Sequence, residues 1–321
     1  MKESFSNFAL IGIGGYIAKK HLEAIRHNNC NLIAALDKND SVGIMDHWFP
    51  EAFFFTEFER FDRFIDKLKR DADKKIDYVS ICTPNYLHDS HIKFALKSNS
   101  NAICEKPLVL NPWNLDALET AQLETGKKIF NILQLRLHPI VKKIKNNLID
   151  KNTVSKKNEI DLTYITSRGN WYFHSWKGNI EKSGGIATNI GIHFFDLLHA
   201  IFGKAQSNEI HLSSMKRASG NIEFKNARVR WFLSIDANDL PSDVIKSNKK
   251  IYRSINVNNK ELVFTDGFED LHSKSYAKIL NNEGFGIDEA RLAIETVSKI
   301  RNFKELTLKG DYHPMLKKIK L

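Results

Sequence analysis

The chain has 321 residues, 42% hydrophobic and 27% charged, with 16 Gly and 7 Pro. This composition excludes disordered, collagen-like and disulfide-scaffold proteins and suits two domains of ordinary size. Net charge is +10, but the lysines are mixed with acids along helix-like stretches. The balance therefore reads as a Lys-rich surface or a positive cleft for a polyanionic small molecule, and no nucleic acid partner is expected.

Cys30, Cys82 and Cys104 cannot all pair, and each lies in an apolar or strand-like run. The start, Met1–Asn7, leaves no room for a signal peptide before the first strand-like run. No apolar run approaches the roughly 20 residues that span a bilayer. A reducing, cytoplasmic setting without membrane association is the expectation.

In chain order, an apolar run at 5–13 ends in glycines, and a helical pattern begins near Ile17. Strand-like runs at Asn31–Asp37, Ile76–Ile81, Ala102–Cys104 and Lys128–Leu133 alternate with helical patterns at Phe58–Arg70, Leu87–Lys97 and Trp113–Thr125. Continuously apolar strands separated by helices predict a parallel sheet covered on both faces. The rhythm changes near residue 135. A helix at Ile140–Leu148 and a polar stretch at Asp150–Asn158 lead to strands at Ile160–Thr166, Glu209–Met215, Ala227–Ile235, Ile251–Val257 and Lys260–Thr265. An apolar helix, near Ile190–Phe202, lies among them, and helices near Leu271–Asn281 and Asp288–Asn302 follow. The expected architecture is a doubly wound α/β domain over 1–135 and an α+β domain with an open, mainly antiparallel sheet over 136–321.

Gly12, Gly14 and Gly15, followed by Tyr16 and Ile17, sit where the first strand becomes the first helix. Glycines there let the backbone approach a pyrophosphate, and the helix N-terminus supplies N–H groups. The fit to G-x-G-x-x-G is imperfect, because Ile17 occupies the third glycine position. Asp37 ends the second strand, where an acid binds adenosine ribose hydroxyls and repels a 2′-phosphate, favouring NAD over NADP. The competing, weaker reading of Asp37 is a helix N-cap. Ligands in such sheets bind outside the carboxyl ends of the strands. The third strand ends in Thr83-Pro84-Asn85, with His88 opening the next helix, and the fourth ends in Glu105-Lys106-Pro107. The first could lie along a nicotinamide ribose or simply cap a helix. Lys106 is either an aimed functional group or a lysine paired with Glu105.

In the second half, Arg168, Trp171, Trp176 and Lys177 form a cluster of aromatic faces and cations suited to sugar, phosphate or carboxylate. Gly184-Gly185, Thr188, Asn189 and His193 follow. On a helix Asn189 and His193, four apart, share one face. His193 and His199 are six apart, and no Cys/His spacing resembles a zinc site, so no metal is expected.

The glycine turn, Asp37, Thr83-Pro84-Asn85-x-x-His88 and Glu105-Lys106-Pro107, in this order, resemble the Gfo/Idh/MocA family of sugar dehydrogenases. The resemblance implies a Rossmann domain with an open-sheet partner domain, NAD as cofactor, and cofactor contacts extending to Glu105, Lys106 and Gln134. The family's Gly-Gly-x-x-x-Asp-x-x-x-His element reads here with Asn189 in place of Asp, so the proton work falls to Lys106 and His193 at an interdomain cleft. His193 as base with Lys106 polarising the oxygen, and the reverse, are both open. Ser175-Trp-Lys-Gly, the segment from Ser183 to His193, Gln134–Pro139 and Phe268–Tyr276 resemble the subgroup of UDP-N-acetyl-2-amino-2-deoxy-D-glucuronate 3-dehydrogenases. That resemblance implies a UDP-sugar acid oxidised at C3 for bacterial lipopolysaccharide O-antigen synthesis, possible recycling of NADH by 2-oxoglutarate, a downstream PLP aminotransferase and a homotetramer. Substrate contacts would come from Arg168, Trp171, Trp176, Lys177, Gly185, Thr188, Asn189 and His193. Another sugar or inositol dehydrogenase, or a non-catalytic sensor on the same fold, would carry much of the same pattern.

Overall fold

The computed structural model describes residues 5–40, 42–71, 74–148, 157–264, 267–306 and 310–319. The chain divides into two compact units: Met1–Gln134 with Asp270–Arg291, and Leu135–Glu269 with Leu292–Leu321. A single cut at 135/136 thus misses the return of 270–291 to the first unit. Residues 1–4, most of the polar stretch expected at 150–158, and Thr265 lie outside the described residues.

Among the described residues, the first unit holds strands β1 (Asn7–Ile11), β2 (Asn31–Leu36), β3 (Phe53–Phe55), β4 (Tyr78–Ile81), β5 (Asn101–Cys104) and β6 (Ile129–Asn131). They form one sheet of order β3-β2-β1-β4-β5-β6, parallel throughout. This order reverses direction between β1 and β4, which is where a doubly wound sheet opens a crevice for a dinucleotide. The edge strand β3 was missed in the sequence because three consecutive phenylalanines carry no period. Helices α1 (Ala18–His27), α2 (Val42–Trp48), α3 (Phe58–Leu68), α4 (His88–Lys97) and α5 (Pro112–Thr125) connect the strands. Pro112 stands in the first turn of α5, where its missing N–H costs nothing, and Gly126 closes the helix in the left-handed region. The core joins Phe8, Leu10, Leu22, Ile25 and Ile103 to Tyr276 and Ile279 from the returning segment.

In the second unit α6 (Ile140–Leu148) precedes β7 (Asn158–Thr166), and two short helices follow, α7 (Trp171–His174) and α8 (Ile180–Ser183). A π-helical turn, Ala187–Gly191, then runs into α9 (Ile192–Phe202). Next come β8 (Ser207–Ser213), β9 (Arg217–Glu223), β10 (Ala227–Ser234), α10 (Ser242–Lys246), β11 (Ile251–Val257) and β12 (Lys260–Val263). The sheet order is β12-β11-β7-β10-β9-β8, with only β7 and β10 parallel among the described pairs. Strand β9, Arg-Ala-Ser-Gly-Asn-Ile-Glu, escaped the sequence reading because its buried centre is small and polar. A Cβ on Gly220 would overlap the Glu209 carbonyl oxygen of β8, so close backbone approach, not β-propensity, holds it there. The chain ends through α11 (Leu271–Leu280), in the first unit, and α12 (Ile287–Asn302), which begins in the first unit and finishes in the second.

Residues Ile180–Phe202 are long and apolar enough to cross a membrane by length and composition, which the sequence reading did not foresee. Of that stretch's most apolar window, 72% is buried inside the protein, as in a core helix.

Candidate active site

In the first unit, Gly12 leaves β1 at φ +90°, and a Cβ there would lie 2.9 Å from Cys82 C and Thr83 N. No side chain fits this approach of the glycine turn to the end of β4. A Cβ on Gly15 would stand 3.1 Å from the Gly12 carbonyl oxygen, and the Gly15 N–H donates to that same oxygen. Tyr16 is 94% exposed, while Ile17 packs onto the core beneath. Asp37 stands across this turn: its Oδ2 accepts the Gly14 N–H at 2.8 Å, and its Oδ1 accepts the Asn39 N–H. The glycine turn and the acid are therefore in direct contact.

Thr83 Oγ1 pairs with His91 Nδ1 at 3.0 Å, and Asn85 is buried at the start of a short turn leading into α4. Burial, with a smaller contribution from His88, pulls the His91 imidazole down to about 4. His88 is fully buried, with Nδ1 2.7 Å from the Pro107 carbonyl oxygen and Nε2 2.9 Å from that of Thr83. Expected as a cofactor contact, it is buried between two strand-end turns, and as a neutral imidazole it donates to one of these carbonyls. Glu105 is likewise turned inward. Its Oε1 accepts from His21 Nε2 and His272 Nε2, each at 3.0 Å, and its Oε2 accepts the Lys106 N–H at 3.1 Å. Although burial opposes ionisation, the two imidazoles hold the Glu105 carboxyl well below the usual carboxylate range. Asn131 donates to the carbonyl oxygens of Cys104 and Glu105. The half-buried Lys106 thus follows a backbone held from several directions, with a cis peptide bond to Pro107.

A dinucleotide fits these residues. The glycine turn is a backbone cradle that a Cβ would fill. The Gln134 Oε1 is buried with no hydrogen-bond partner among the described residues, an acceptor suited to an amide donor.

In the second unit, Arg168 and Trp171 are exposed and Trp176 is half-buried. The Lys177 Nζ lies 4.7 Å from the Trp176 ring centroid and 5.6 Å from that of Trp171, so one ammonium is shared by two indole faces. Gly184 and Gly185 both have positive φ, and a Cβ on Gly184 would strike the Thr188 side chain at 2.7 Å. Thr188, expected at the substrate, is fully buried behind that glycine. Asn189 donates from Nδ2 to the Tyr172 phenol oxygen at 2.9 Å. Burial pushes the Tyr172 phenol up, against this hydrogen bond and the Arg168 charge. Asn189 lies in the π-helical turn and His193 in the first turn of α9, so the two do not share one regular α-helical face as the spacing predicted. Single π-turns frequently mark functional sites. His193 is half-buried. Behind it, Asp196 receives a bidentate pair from Arg136, with Nε and Nη2 both donating.

Sequence reasoning assigned no site role to His21, Asn131, His272 or Tyr276. Two signals were present: His21 falls on the buried face of α1 beside Ala18, Leu22 and Ile25, and His272 and Tyr276 are four apart on α11.

A parallel sheet of this strand order, with a glycine turn and acid at its reversal and a lysine at a neighbouring strand end, defines an NAD-binding oxidoreductase. The chain belongs to the Gfo/Idh/MocA family. Residues 6–132 match the oxidoreductase family's NAD-binding Rossmann fold, and 156–245 match its C-terminal alpha/beta domain. Two solved structures of the WlbA (WbpB) dehydrogenase from Thermus thermophilus are 43% identical to it, with a TM-score of 0.91, covering 97% of this chain and 99% of theirs. One was determined with NAD and alpha-ketoglutarate, the other with NAD and UDP-GlcNAcA. The inositol 2-dehydrogenase of Rhizobium meliloti is 28% identical over 200 residues, 61% of this chain and 55% of that one. The oxidoreductase YteT of Bacillus subtilis is 28% identical over 158 residues, 49% of this chain and 36% of that one. The chain therefore spans between a third and just over half of these curated relatives.

Proposed function

We propose that this protein oxidises the C3 hydroxyl of UDP-N-acetylglucosaminuronic acid to the 3-keto sugar, using NAD. The observation that carries the reading is full-length similarity, at 43% identity, to a dehydrogenase determined with NAD and UDP-GlcNAcA. NAD, when bound, accepts the hydride from C3. Gly12, Gly14 and Gly15 receive its pyrophosphate, Asp37 its adenosine ribose, and Thr83, Pro84, Asn85 and Gln134 its nicotinamide half.

The remaining chemistry belongs to the chain's own side chains. As the hydride leaves C3, the hydroxyl proton must go to a base and the developing alkoxide needs a positive partner. His193 takes the proton, since an imidazole titrates near neutrality, and Lys106 holds and polarises the oxygen. The reading requires both to reach one carbinol. Asn189 fixes Tyr172, and with Asn in that position no Asp–His relay operates. Lys177 and Arg168 meet the acidic parts of the substrate, with Trp171 and Trp176 as flat walls. The same reading makes 2-oxoglutarate the acceptor that regenerates NAD, supported by the structure with NAD and alpha-ketoglutarate. It also makes the protein a homotetramer supplying a PLP aminotransferase in surface-polysaccharide synthesis.

Mass spectrometry of the purified protein with UDP-N-acetylglucosaminuronic acid, with and without 2-oxoglutarate, tests this. The expected products are the 3-keto sugar and, with the oxoacid, an equal amount of 2-hydroxyglutarate. No keto sugar, even with excess NAD and a coupled aminotransferase, sinks the substrate assignment.

A further inference from the structure

The turn that carries Lys106 is tied to a buried hydrogen-bond chain that the reaction itself does not use. Glu105, the residue before the lysine, is buried, and an ionised carboxylate can only accept. Both His21 Nε2 and His272 Nε2 must therefore donate to its Oε1. Burial lowers the His21 imidazole, so it is neutral, and its Nδ1 is then an acceptor. The Tyr276 hydroxyl, 2.7 Å away, donates to it, and Ser80 Oγ, 2.7 Å from Tyr276, donates to the phenol oxygen. The four hydrogen bonds of Ser80–Tyr276–His21–Glu105–His272 thus each have a defined direction, and they converge on one carboxylate. The other oxygen of that carboxylate, Oε2, accepts the Lys106 N–H. Two of the five residues, His272 and Tyr276, come from α11, far along the chain.

We propose that His272, Tyr276 and His21 are positioning residues for Lys106, acting through Glu105 to fix the backbone of the lysine turn. This rests on the reading of Lys106 as a catalytic residue. A Glu105 carboxyl rotated out of place would release the Lys106 N–H and let the side chain's origin drift, and displacements of that kind cost turnover more than binding. The three ligand-type atoms of His21, Glu105 and His272 also lie within 4.8 Å of one another, a spacing open to a metal ion. In the hydrogen-bonded chain those same atoms are occupied by two N–H donors and their acceptor.

The test combines His272→Leu, which removes a donor, His272→Gln, which restores an N–H, and Tyr276→Phe. Lys106→Met serves as control. Amide hydrogen exchange at Lys106 reports the turn without any substrate. The expectation is exchange at least about tenfold faster in His272→Leu, with the glutamine variant close to wild type. With UDP-N-acetylglucosaminuronic acid and NAD, kcat of His272→Leu should fall about tenfold, KM should change less than about twofold, and the pH profile of kcat should shift. Unchanged Lys106 exchange in a folded His272→Leu overturns the proposal. If that variant does not fold, unchanged exchange in Tyr276→Phe overturns it instead. One equivalent of tightly held zinc in the purified protein also overturns it. Full turnover by Lys106→Met removes the catalytic assignment, an outcome separate from any change in exchange.

Discussion

The two units support their candidate residues in opposite ways. Lys106 follows a carboxylate with two imidazole donors and lies between a histidine and an asparagine bridge, all buried. Across the second unit, Arg168 and Trp171 are exposed, and Lys177 is held over indole faces. His193 lies in the first turn of α9, just after a π-helical turn. A cofactor that every turnover reuses suits a rigid frame, and a substrate that must enter and leave suits a surface that adapts. The difference teaches where precision is built: interior hydrogen bonds in the first unit, and the local backbone path in the second.

The sharpest way to break this comparison is to remove the two residues assigned to proton work. Lys106→Met and His193→Ala should each lower kcat by about 10²-fold or more while NAD affinity changes little, as measured by steady-state kinetics and cofactor titration. If only one variant loses turnover, one unit supplies the chemistry alone. Next in size is Gly12→Ala. A methyl at φ +90° facing backbone atoms at 2.9 Å should cost about 3 kcal/mol and weaken NAD binding at least tenfold, read by urea unfolding and calorimetry. A native-like Gly12→Ala with normal affinity would remove the cradle from the argument.

The smallest effect is a pH slope. The folded-state value of His91 is about 4, below its ordinary 6.5, so the unfolded chain binds the extra proton first. Its contribution to stability is fully present above about pH 6.5 and is lost as pH falls towards 4. From pH 7 to 5.5 the loss should be about 1 kcal/mol. His91→Asn, measured by unfolding at both pH values, should flatten that slope. An unchanged slope assigns it to other buried imidazoles such as His21 and His88, which burial also lowers.

Much of this was legible in the sequence for a local reason. Helix and strand periods and glycine turns depend on neighbours in the chain, so α6 starts and ends where its pattern does and the glycine turn sits where β1 meets α1. The pattern around Lys106 and His193 could be read as chemistry because residue types at strand ends and after paired glycines are short-range signals. The sequence by itself determined the alternation that makes the first sheet parallel and the change of rhythm that makes the second mixed. It also brought Lys106 and His193 forward as candidates for the proton work. Only the tertiary structure decided that Glu105 faces inward to His21 and His272, that His88 is buried between two strand-end turns, and that Thr188 is buried behind Gly184. It alone returned residues 270–291 to the first unit. Most of those outcomes rest on contacts between distant residues, with hydrogen-bond partners up to 255 positions apart, and no local pattern encodes which distant donor a buried acceptor will meet.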